Sequence, residues 1–254
     1  MISKNQIKYI QSLHSKKNRE QEQIFIIEGV KLVGEFLADP VYKIHTVYAT
    51  IDFINDNKDK LESSKIPFIE ISEIDLKKIS VQITPNQVLA LVNFNTKNSQ
   101  INLLDTNTIL YLDNIRDPGN LGTIIRIADW FGIKQIICSP TTTELYSPKT
   151  LQATMGAILR VTVTYLEFEL LLSQLKNMPI YGAVLNGKNI YTSTLQNGVV
   201  VIGNEANGIS EDVLKYISNP ITIPAANNNG SESLNAANAC AIICSEFFRQ
   251  LHLK

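Results

Sequence analysis

From residue 111 the chain reads Tyr-Leu-Asp-Asn-Ile-Arg-Asp-Pro-Gly-Asn-Leu-Gly-Thr-Ile-Ile-Arg-Ile-Ala-Asp-Trp-Phe-Gly. An apolar strand stops at a polar, glycine-bearing turn and then enters an amphipathic helix. This layout builds sites at the carboxyl end of a sheet. Pro118 fixes φ where a helix can begin, Gly119 and Gly122 let the backbone pass close to a ligand, and Asn120 and Arg126 bring hydrogen-bonding groups to the same end.

The rest of the chain alternates in the same way. From Gln23 to Asn93 the spacing predicts strands at 25–27, 44–48, 67–71 and 88–92, and helices at 30–37, 53–61 and 73–79. Residues 95–107 are polar and turn-rich, which marks a linker between a first domain of residues 1–94 and a second of residues 108–254. In the second domain, 109–112, 135–138, 161–163, 180–184, 199–202 and 221–223 are short, β-branched and bounded by turn residues, as buried parallel strands are. Helical spacing at 121–131 and 234–251 then implies crossovers and helices on both faces. The fold class is α/β throughout.

Charge and cysteine content narrow the function. The 254 residues carry a formal net charge of −1, so the surface as a whole is not that of a nucleic-acid binder. Residues 1–19 are the exception, with Lys4, Lys8, Lys16, Lys17 and Arg19 and no acid. They flank an Ile7, Ile10, Leu13 stripe, so one helix could turn its apolar side inward and its cations toward phosphate; a merely solvated face fits the charges as well. Cys138, Cys240 and Cys244 are an odd count without metal-type spacing and read as small core residues, so no metal is expected. No run approaches the roughly 18 apolar residues of a membrane span, and the start lacks a secretory signal, so a cytoplasmic protein is expected.

Two further segments sharpen the reading: Val201-Ile-Gly-Asn-Glu-Ala-Asn-Gly-Ile-Ser210, and Ile221-Thr-Ile-Pro followed by Glu232-Ser-Leu-Asn-Ala-Ala-Asn238. With residues 111–132 they closely resemble, in order and content, the three motifs of the SpoU/TrmH family of RNA 2′-O-ribose methyltransferases. The stretch from Leu13 to Leu32 is similar to the L30e-like RNA substrate-binding domain often joined to that family. The resemblance implies a SPOUT fold for residues 108–254, an α/β-knot domain with a mostly parallel sheet and a deep trefoil knot, which chain-connection rules alone would argue against. It also implies S-adenosylmethionine as cofactor, ribosomal or transfer RNA as partner, and a homodimer.

Carried over residue by residue, the resemblance makes Arg126 the catalytic arginine, six residues after the motif asparagine, Asn120. A free guanidinium is a poor base, so Arg126 either has a strongly perturbing neighbourhood or holds and polarises the ribose hydroxyl. Alternatively, it pairs with Asp129 or Asp113 for structure. Asn120 either orients Arg126 or the ribose, or caps a helix. Glu205 matches a carboxylate that can fix an arginine, and Ser233 and Asn235 match the polar pair of the third motif, where either residue could also cap the helix that follows. Gly203, Ile223 and Leu234, with Leu185, Asn186 and Gly187, match the cofactor pocket; Lys16, Lys17 and Arg19 are the RNA-contact candidates. The loop at 224–233 is longer than the family's common form. A non-catalytic RNA-binding or ribosome-assembly factor on the same fold is the alternative, though such a protein would be expected to have degraded motifs. A dinucleotide-binding Rossmann protein lacks support because no Gly-x-Gly-x-x-Gly follows an early strand.

Overall fold

The computed structural model describes residues 2–95, 108–175, 178–226 and 233–253. They fall into two compact units. The first holds residues 2–95 together with 146–159, a stretch that the sequence division gave to the second domain; the other unit holds the remaining described residues. No described helix is long and apolar enough to cross a membrane.

The first unit begins with α1 (Lys4–Ser12) and α2 (Lys16–Glu22). Ser3 and Gln6 start α1 with a reciprocal capping box, the Gln6 amide donating to Ser3 Oγ at 3.2 Å and the Ser3 amide to Gln6 Oε1 at 2.9 Å. The single basic helix expected from the charge pattern is therefore two helices. The break survives because side chains satisfy the carbonyls it exposes: Arg19 Nη1 donates to Leu13 O at 2.7 Å and His14 O at 2.8 Å, and Asn18 Nδ2 to Ser12 O at 2.8 Å.

Strand β1 (Ile24–Glu28) leads into α3 (Val30–Ala38), and β2 (Ile44–Ala49) into α4 (Ile51–Asp56) and α5 (Lys58–Ser64). One helix was expected at 53–61; Asn57, bonding through its amide to Phe53 O at 3.0 Å, ends α4 and divides it. Then come β3 (Phe68–Glu70), α6 (Glu73–Ile79) and β4 (Val88–Asn93). The sheet runs β1-β4-β2-β3, with β4 antiparallel to both neighbours and β2 parallel to β3. Residues 146–159 contribute Tyr146, stacked on Phe25 at 4.5 Å between ring centroids, then a short helix, α8 in chain order (Pro148–Thr154), which lies against β1.

The second unit is one parallel sheet. Its strands are β5 (Ile109–Leu112), β6 (Gln135–Cys138), β7 (Thr162–Tyr165), β8 (Ile180–Asn189), β9 (Val199–Ile202) and β10 (Asn219–Thr222), in the order β10-β8-β9-β5-β6-β7. Every neighbouring pair is parallel. Helix α7 (Pro118–Trp130) follows β5, and α11 (Ala236–His252) ends the unit and packs on α7. Two short helices, α9 (Phe168–Leu172) and α10 (Glu211–Leu214), sit over a cluster built from Ile109, Tyr111, Ile137, Val199 and Val201. All three cysteines are buried; burial pushes the Cys138 thiol up, so they serve as core residues.

This strand order fixes where a site can lie. From β5 the chain moves outward through β6 and β7, then returns to build β8, β9 and β10 on the other side. The direction reverses between β5 and β9, whose residues pair from Ile109↔Val199 to Leu112↔Ile202. A crevice opens beyond the carboxyl ends of strands at such a reversal.

Candidate active site

Two turns leave the sheet side by side at that point. The one after β5 is fastened to the one after β9. The Asp113 amide donates to Ile202 O at 2.9 Å, buried Asp113 accepts the Ser210 amide at 2.7 Å, and Asn204 Nδ2 donates to Asn114 O at 3.0 Å. Asn204 also accepts the Ala206 and Asn207 amides at 2.9 and 3.1 Å, closing a tight turn around Glu205. Gly203 has no room for a side chain: a Cβ there would lie 2.3 Å from the carbonyl carbon of Gly208.

Asp117 caps α7, accepting the Asn120 amide at 2.9 Å, and Pro118 occupies the first turn. The cap is thus Asp117, and the Asn120 side chain is left for the crevice. Asn120 Nδ2 donates to Glu205 Oε1 in a very short contact, while its Oδ1 accepts Asn235 Nδ2 at 3.0 Å. Asn235 in turn caps α11, accepting the Ala237 and Asn238 amides at 3.0 and 3.3 Å. The polar residues matched to the three motifs, Asn120, Glu205 and Asn235, therefore form one hydrogen-bonded row. Ser233 is exposed, two residues before the cap.

Arg126 stands exposed on α7, with no hydrogen bond or ion pair to any described residue. Both carboxylates that could have held it for structure are engaged. Asp113 takes the Ser210 amide, and Asp129 is held by Arg160, whose Nε reaches the two carboxylate oxygens at 3.1 and 2.9 Å and whose Nη2 reaches Oδ2 at 2.8 Å.

Of the residues matched to the cofactor pocket, Gly203 and Leu234 lie within two residues of the row in sequence, and Leu185, Gly187 and Ile223 lie where β8 and β10 run side by side. Strand β8 runs on to Asn189, further than expected, because its ladder with β10 is interrupted: Gly182 pairs with Pro220, and the next β10 residue, Ile221, pairs with Lys188. Residues 183–187 project from the ladder between those pairs. Thr222 Oγ1 donates to Leu185 O at 3.0 Å, which ties the projection to the segment holding Ile223. Gly187 passes so close to β10 that a Cβ would lie 2.5 Å from the Ile221 carbonyl carbon. Leu185 is 70% exposed and Leu234 47%, while Ile223 is half-buried and Asn186 exposed. Large apolar groups left open at the end of a parallel sheet suit the faces of a flat aromatic ring such as adenine. Of the lengthened loop, residues 227–232 lie outside the described residues.

In the first unit Lys16 and Lys17 are exposed, Lys16 facing Glu20 at 3.6 Å. Arg19 does not belong with them. It is 2% exposed and donates to the Leu13 and His14 carbonyls, so it is a structural cation rather than a phosphate contact. Sequence reasoning also passed over Asp117, Asn204 and the Asp129–Arg160 pair. The first had a signal, an aspartate directly before a helix-starting proline.

Comparison with known proteins bears on the family and the fold. Residues 107–245 match the model of the SpoU rRNA methylase family, and residues 4–90 that of the MRM3-like substrate binding domain. A 23S rRNA (guanosine(2553)-2′-O)-methyltransferase, RlmP of Bacillus subtilis, is 29% identical, with 95% of each chain covered. Among solved structures, a TrmH-family protein from Porphyromonas gingivalis is 37% identical with a TM-score of 0.85, covering 98% of this chain and 99% of its own. An rRNA methyltransferase from Sinorhizobium meliloti with AdoMet bound is 27% identical with a TM-score of 0.86, covering 100% and 98%.

Proposed function

The chain belongs to the SpoU rRNA methylase family, and from that premise we propose that it transfers a methyl group from S-adenosylmethionine to a ribose 2′-hydroxyl of ribosomal or transfer RNA. The observation that carries the reading is the row Glu205–Asn120–Asn235, assembled from three distant segments. A non-catalytic factor would have no need to keep that row.

The cofactor supplies an electrophilic methyl on a sulfonium. Leu185, Ile223 and Leu234 would wall its adenosine, with main chain at Asn186, Gly187 and Gly203 around them. Glu205 fixes Asn120, and Asn235, anchored by the first amides of α11, fixes it from the other side. A rigid amide at that position can orient the ribose, and orientation supplies much of the rate in a displacement of this kind. Arg126 would meet the hydroxyl and the neighbouring phosphate, either taking the hydroxyl proton in its neutral form or, as a guanidinium, holding the oxygen while that proton passes to water. Ser233 completes the polar side of the site. Lys16 and Lys17 would contact RNA phosphate from the first unit.

The deep trefoil knot, a cytoplasmic location and a homodimer belong to the same reading. For the dimer, Trp130 offers support: it is 84% exposed, one helical turn beyond Arg126. If Arg126 of one protomer serves the cofactor pocket of its partner, mixing two inactive proteins restores activity. Arg126→Ala combined with Ile223→Asp should recover about a quarter of wild-type transfer after random subunit exchange, because about half the dimers then hold one intact site of two. No recovery after verified exchange would confine each site to one chain. Calorimetry of the full chain with S-adenosylmethionine tests the function itself: one site per chain is expected, and no binding would remove the methyltransferase reading.

A further inference from the structure

Arg160 lies outside the three motif segments, yet it holds a carboxylate on the helix that carries Arg126. Asp129 follows Arg126 by three residues on α7, and side chains at that spacing are neighbours on a helix surface, roughly 5–6 Å apart at Cβ. Asp129 retains only 20% of its side-chain exposure, so it gains by facing a cation. Arg160 occupies it with three contacts, Nε to both oxygens and Nη2 to Oδ2. A guanidinium can engage both oxygens at once where an ammonium offers a single point charge.

We propose that Arg160 is a positioning residue for methyl transfer: by holding Asp129 it keeps the carboxylate of α7 away from Arg126. This rests on Arg126 being the catalytic arginine. A carboxylate paired with Arg126 would draw the guanidinium down onto the helix, cancel its attraction for RNA phosphate and make it hold its proton more firmly. The first two effects work against either role open to Arg126, and the last against its taking the proton.

The test compares Arg160→Ala, Asp129→Asn, the double variant and Arg126→Ala, with turnover expressed per bound cofactor so that unfolded protein does not count. Arg160→Ala should lose up to about fivefold in kcat, the scale of an ion pair at a helix surface, with cofactor affinity unchanged. Asp129→Asn should turn over like wild type, and adding it to Arg160→Ala should restore the rate, since no carboxylate then competes for Arg126. A wild-type rate for Arg160→Ala overturns the proposal. So does a loss that persists in the double variant, or an equal loss in Asp129→Asn, because the ion pair would then matter for itself. An active Arg126→Ala protein would show that the underlying reading of Arg126 had failed, whereas an inactive one beside a normal Arg160→Ala would remove the positioning role alone.

Discussion

The basic start of the chain and helix α7 present the same kind of side chain in opposite states. Arg19 is buried and bonded to the carbonyls of Leu13 and His14; Arg126 is exposed, and the acids that could hold it are bonded elsewhere. What separates them is the supply of acceptors. A chain that breaks between α1 and α2 leaves carbonyls needing donors, and Arg19 is the donor within reach. At α7 the cap is filled by Asp117 and the carboxylates by Ser210 and Arg160, so no described residue uses the Arg126 side chain. Charge in a sequence locates cations; the hydrogen-bond inventory around each decides whether it holds the fold or meets a ligand.

The comparison breaks most visibly at Arg126. Arg126→Ala should cut methyl transfer at least about a hundredfold, the usual scale for a positioned group in proton transfer. Its cofactor affinity and thermal midpoint should stay at wild type, as calorimetry and a melting curve would show. Arg19→Met should do the reverse. Two carbonyls, one buried and one half-buried, lose a charged donor, and the first unit should weaken by about 1–3 kcal/mol in a urea titration, with turnover per folded molecule unchanged. An Arg19→Met protein of normal stability that bound RNA poorly would return Arg19 to the RNA-contact set.

Smaller effects sharpen the contrast within the first unit. Replacing Lys16 and Lys17 with alanine should lower the slope of log affinity against log salt by roughly 1–2, where an unchanged slope would mean that the pair is only solvated. Glu28 gives the least effect. It accepts from Ser80 Oγ and the Val81 amide, yet burial holds its carboxyl above the usual range. A raised carboxyl contributes stability that is full below the unfolded value and lost as pH rises through the folded one. Glu28→Gln, which does not titrate, should therefore compare best with wild type near pH 8 and lose that advantage as pH falls toward 5, measured as paired urea midpoints.

Much of the second unit was legible in the sequence because local signals agreed with one another. The strands 109–112, 135–138 and 199–202 coincide with β5, β6 and β9, each a β-branched run closed by turn residues. Helix α7 was announced by its period and by Pro118, though the capping role of the preceding aspartate went unread. What escaped depends on partners far along the chain. The short helix at 148–154 and its attachment to the first unit rest on Tyr146 meeting Phe25. The extension of β8 was hidden because residues 183–187 leave the ladder and no alternation marks them. In the site, motif content located Asn120, Glu205 and Asn235, while their bonding order had to come from geometry. Arg160 carried no sequence signal at all, since its meaning lies in the carboxylate it holds.

The most direct measurement incubates the full chain with labelled S-adenosylmethionine and RNA from cells lacking this protein, then maps the label by resistance of the adjoining phosphodiester to alkali. A methyl on a ribose 2′-oxygen, present with wild-type protein and absent with Arg126→Ala, is the predicted result. Label on a base, or ribose methylation that Arg126→Ala performs at the wild-type rate, would contradict the account.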